Sequence, residues 1–102
     1  MESELVSLES RLDSFLARAR RALASRPPVA DAVAADLAVD GYAEVLALET
    51  AMRRLRRRID GLAYTELDDL ERVRELRAEA AAVSRRLDEL RGALAELSRR
   101  HP

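Results

Sequence analysis

Five arginines occupy six consecutive positions, Arg53, Arg54, Arg56, Arg57 and Arg58, broken only by Leu55. Guanidinium groups at this density can grip phosphate through charge and bidentate hydrogen bonds. A nucleic-acid backbone contacted by Arg53, Arg54, Arg57 and Arg58 is therefore one candidate partner, and an acidic protein is another. Three features weigh against nucleic acid. The formal net charge is -1, from 18 basic and 19 acidic residues, whereas electrostatic nucleic-acid binders carry a basic excess. No aromatic residue is interleaved with the arginines for base stacking. Segment 51–60 carries five arginines against one aspartate, and segment 61–71 carries four acids, Glu66, Asp68, Asp69 and Glu71. Across a short turn these two clusters are expected to neutralise each other, which makes the run a charged helix wall.

Little else in the chain is equipped for chemistry. There is no cysteine, so disulfides, thiolate metal sites and cysteine nucleophiles are excluded. The single histidine, His101, is next to last and is expected to fray rather than to serve as ligand or base. A serine nucleophile such as Ser84 would need a histidine or lysine neighbour, and the chain has no lysine. The carboxylate pairs Asp68-Asp69 and Asp88-Glu89 are adjacent in sequence, and adjacent residues on a helix diverge. Tyr42 and Tyr64 each closely follow a glycine and are expected to pack over helix ends. No glycine-rich phosphate loop exists among only three glycines. The expectation is a non-enzymatic protein with no cofactor and no bound metal.

"LRRRID", Leu55 to Asp60, resembles the opening of the helical chorismate mutases, in which an arginine after the leucine holds a substrate carboxylate. The resemblance would assign that role to Arg56. It covers six residues. The family also relies on a lysine and a later glutamine or glutamate, whereas this chain has neither lysine nor glutamine, and Gly61 follows where the family's helix continues. These departures leave Arg56 without the partners that role requires.

The elements that carry these residues follow from composition and punctuation. Apolar residues make up 48% of the 102-residue chain and charged residues 36%, rich in Ala, Leu, Arg and Glu, which is the composition of long helices. Pro27-Pro28 cannot lie within a helix and drives Arg26 out of the helical region. Asp40-Gly41 and Asp60-Gly61 read as turns or helix ends. Thr65 followed by Asp68 has the form of a capping box. These marks give helices near 2–25, 29–39, 43–60 and 66–100 in a single domain spanning 1–102. The break at Gly41 is the softest, since a helical glycine costs only about 1 kcal/mol relative to alanine, and the middle two helices would then be one kinked rod.

Spacing agrees. Leu5, Leu8, Leu12, Phe15, Ala19 and Ala22 step by three and four. So do Val45, Leu48, Met52, Leu55, Ile59 and Leu62, and again Val73, Leu76, Ala80, Val83, Leu87, Leu90, Leu94 and Leu97. The last series runs for more than three heptads, a coiled-coil-like seam. Segment 29–40 differs, being alanine-rich and carrying only acids, so that its small side chains permit close helix approach. No strand alternation is present. The fold expected is all-α, an elongated bundle of three to four helices with a long C-terminal helix.

Length then bears on function. A helix over 66–100 extends roughly 52 Å and one over 2–25 about 36 Å, so the first cannot cover the last. Part of the seam of Leu87, Leu90, Leu94 and Leu97 is expected to lack a partner within the chain and to mark an interface. The function expected is protein–protein interaction or oligomerisation through helix-on-helix packing, with the partner a second copy (a homodimer or higher) or another helical protein. A nucleic-acid binder using the arginine run is the alternative, and a de novo designed bundle without a natural role is a third reading. All eighteen basic residues are arginine, and asparagine and glutamine are absent. That usage points to a GC-rich bacterial genome. No apolar run approaches the ~18 residues of a membrane span, and the charges at Glu2, Glu4, Glu9 and Arg11 leave no room for the apolar core of a signal peptide. A cytoplasmic location is expected.

Overall fold

The computed structural model describes residues 2–62 and 66–101, with side chains from Val6 onward. Among them it contains three helices and no strand. These are α1 (Glu2–Ala24), α2 (Asp31–Asp60) and α3 (Leu67–Arg100). Residues 25–30 carry the two prolines and join α1 to α2; Ser25 Oγ donates to the carbonyl of Pro27 at 2.9 Å. Thr65 and Tyr64 lie outside the described residues. Glu66 takes the N-cap position of α3, and Asp68 and Asp69 occupy its first turn. Arg99 and Arg100 lie in the last turn of α3, as Arg57 and Arg58 do in that of α2, where positive charge is favoured by the helix dipole. Gly61 ends α2 with an ordinary right-handed φ of -78°, its N–H donating to Arg57 O at 3.0 Å.

The break expected at Gly41 does not occur. Helices expected at 29–39 and 43–60 form one 30-residue helix that runs through Asp40-Gly41. Gly41 is buried at the point where all three helices meet. A β-carbon built there would lie 2.5 Å from Leu94 Cδ2 and 2.8 Å from Phe15 Cζ, closer than carbon atoms approach without movement. The glycine therefore permits close packing rather than a turn.

Polar contacts between the helices mark their directions. Arg11 pairs with Glu44 and Arg18 with Asp40, so α1 is antiparallel to α2. Arg91 pairs with Glu49 and His101 with Asp31, so α3 is also antiparallel to α2. Arg86 pairs with Asp13, and Arg100 Nη1 donates to Leu23 O at 2.6 Å, so α1 and α3 run parallel. The result is a rod of 59 × 21 × 16 Å with a radius of gyration of 16.9 Å, against about 13 Å for a compact chain of this length. Its core is one cluster built from all three helices. Leu12, Phe15, Leu76 and Leu90 are its most deeply buried large side chains. Each fully buried side chain of this type contributes about 1.5–3 kcal/mol of transfer free energy.

Candidate protein-interaction surface

The four leucines expected at a free seam are in the chain's own core. Leu87, Leu90, Leu94 and Leu97 are all buried and pack with Leu12, Phe15, Leu16 and Ala19 of α1. The length mismatch is real but falls at the other end. The Arg86–Asp13 and Arg100–Leu23 contacts place α1 beside the C-terminal two-thirds of α3. The N-terminal turns of α3 are what α1 leaves uncovered, and Leu67 and Leu70 are exposed there. The reason is the chain direction: α1 joins α2 through a short connection, so it must begin its overlap at the end where α2 starts and α3 finishes.

The arginine run lies on the C-terminal half of α2. Arg53, Arg54, Arg56 and Arg57 are exposed and Arg58 is half-buried. Arg53 donates to Thr50 Oγ1 at 3.1 Å, and Thr50 Oγ1 in turn donates to Leu46 O at 2.9 Å. The neutralisation expected from Glu66, Asp68, Asp69 and Glu71 is not made by Arg53, Arg56 or Arg57, since among the described residues no ion pair joins these three to that cluster. Among the described residues, Arg53, Arg56 and Arg57 form no ion pair with a carboxylate. Their charge is presented to the surroundings. Arg54 and Arg58, with Arg11, border a cleft of about 430 Å³ between α1 and α2, floored by Leu8, Ala51 and Leu55.

His101 is docked rather than frayed. Its side chain is largely buried, and Nδ1 lies 3.0 Å from Asp31 Oδ1, tying the end of α3 to the start of α2. Ser84 is exposed on α3. Among the described residues no three of His, Cys, Asp and Glu cluster in a way that would hold a metal ion, and no helix is long and apolar enough to cross a membrane. One carboxylate is set apart by burial. Glu44 is only 13% exposed, and both Arg11 Nε and Arg11 Nη2 donate to its Oε1, at 3.2 and 2.9 Å. Its Oε2 is buried without a hydrogen-bond partner among the described residues.

The largest departure from expectation is on the outside of α2. Tyr42, expected to pack over a helix end, is 60% exposed in mid-helix, between Val39 at 69% and Leu46 at 64%. These three step by three and four and share the face turned away from the core, which is made by Leu37, Gly41, Val45, Leu48 and Leu55. Exposed Ala32, Ala35 and Ala43 extend the same face. The helix thus carries two apolar stripes, one inward and one outward. The outward stripe follows from the same spacing rule as the inward one. A break at Gly41 conceals it, since Val39 then falls in one helix and Tyr42 and Leu46 in another; the continuous α2 brings the three together.

Charge along α2 is segregated as well. From Asp31 to Val45 it carries Asp31, Asp36, Asp40 and Glu44 with no base, and from Leu46 to Asp60 it carries five arginines against Glu49 and Asp60. The exposed stripe crosses from the acidic half to the edge of the basic half. No protein-family model, no curated protein and no solved structure matches this chain.

Proposed function

We propose that this chain is a non-enzymatic protein–protein interaction or oligomerisation module that works by helix-on-helix packing, with the outer face of α2 as its contact surface. The observation that carries this reading is the exposed Val39-Tyr42-Leu46 stripe in mid-helix. An apolar stripe of this spacing on a helix already packed on its opposite side is the form a helix offers to a second helix. The arrangement of the polar groups points the same way, since His101 is engaged with Asp31 and Glu44 with Arg11 in contacts that join helices.

The test is a photo-crosslinking amino acid placed at position 42, with the same group at exposed Ser84 as control, in cells of the source organism. Crosslinks from position 42 to a protein, the chain itself included, and few from position 84 are the expected outcome. Equal or absent crosslinking from the two sites sinks the reading. Nucleic acid is a second reading, favoured by the unpaired exposure of Arg53, Arg56 and Arg57. It wins if the chain shifts a DNA or RNA probe at near-physiological salt and the Arg53→Glu, Arg57→Glu double variant does not, because phosphate contacts are lost uniformly with the cations that make them.

A further inference from the structure

We infer that the occupant of the outer α2 face is a second copy of this chain, packed with its α2 antiparallel to the first about a twofold axis. The inference rests on the reading of that face as a contact surface and adds the partner. Its basis is charge complementarity. An antiparallel pairing sets the acidic half of one α2 against the basic half of the other, twice over, as twofold symmetry requires. A parallel pairing would set acid on acid and base on base.

Geometry gives the register. With the axis passing between the two helices at the level of Ala43 and Glu44, Leu46 of each copy seats between Val39 and Ala43 of the other, a knob in a hole. The same register brings Arg53 of one copy within about half a helical turn of Asp36 of the other, and Arg57 beside the start of the other helix at Asp31. Arg53, Arg57 and Asp36 form no ion pair within the chain among the described residues, so all three are available. Asp40 and Glu49, whose meeting would repel, are held to opposite flanks by Arg18 and Arg91.

The experiment is sedimentation equilibrium on the full chain over a wide concentration range, with circular dichroism to confirm that each variant is folded. The wild type is expected to be a dimer that loosens as salt rises, since its rim contacts are charge pairs. Leu46→Glu, on an exposed position, should give a folded monomer. Arg53→Glu and Asp36→Arg should each weaken dimerisation on the order of tenfold or more, since each variant replaces two attractive pairs by two repulsive ones. An equimolar mixture of those two variants should recover dimers, now mixed, because every pair is again of opposite sign. A wild type that stays monomeric at high concentration overturns the second-copy inference. So does a dimer that Leu46→Glu leaves intact, or a mixture that fails to recover. If the wild type is monomeric while position 42 crosslinks to a different protein, only the second-copy inference falls. If position 42 also fails to crosslink, the interaction reading falls with it.

Discussion

Gly41 and Gly92 both sit inside long helices, and the structure assigns them opposite responses to alanine. Replacing a helical glycine by alanine gains about 1 kcal/mol from reduced backbone entropy in the unfolded chain. At Gly92 nothing lies within 4 Å of a β-carbon, so Gly92→Ala should stabilise by close to that full amount. At Gly41 the β-carbon would meet Leu94 Cδ2 at 2.5 Å and Phe15 Cζ at 2.8 Å. Both are tips of buried side chains, 6% and 1% exposed, so neither can swing into solvent. Overpacking of this kind costs about 1–3 kcal/mol. Net of the entropy gain, Gly41→Ala should therefore range from neutral to about 2 kcal/mol destabilising. The two variants should differ by about 1–3 kcal/mol, and for a domain of this size 1 kcal/mol is roughly 4–8 °C in Tm. Guanidinium unfolding followed by circular dichroism at 222 nm measures both, with an unchanged m-value confirming that the same transition is compared. Equal stabilisation by both substitutions would show that Gly41 is an ordinary helix position and that three helices do not converge on it.

The seam of α3 and the ion pairs of α1 yield further tests. Leu90→Glu with Leu94→Glu should abolish helicity and cooperative melting together, because both sites are core positions and unpaired charge is expensive to bury; a folded monomer would instead mean that these leucines cover an intermolecular contact. Leu90→Ala alone should cost about 2–5 kcal/mol in chemical denaturation. Arg11→Ala should cost more than Arg18→Ala, about 1–3 kcal/mol against 1 or less, because Arg11 serves a carboxylate 13% exposed and Arg18 one 52% exposed. Equal losses would show that burial of Glu44 carries no energetic weight.

Composition and periodicity were sufficient for the fold class. A chain with Leu, Val and Ala at spacings of three and four, charges elsewhere and few breakers has nowhere to bury its apolar surface except against other helices, and the long α3 and the rod shape follow from its length. The proline pair ended α1 for reasons of backbone geometry that no tertiary contact could override. Gly41 was different. Its local preference for a break is worth about 1 kcal/mol, small enough for packing against Phe15 and Leu94 to decide the outcome, and those partners are 26 residues before it and 53 after. That one decision governed the rest. With α2 continuous, Val39, Tyr42 and Leu46 form a stripe. With α2 interrupted they are scattered residues. Which end of α3 stays uncovered was equally beyond sequence reading. Helix lengths give the mismatch, but only the overlap of α1 with α3, set by the direction in which the chain leaves each turn, decides that Leu97 is inside and Leu67 is out.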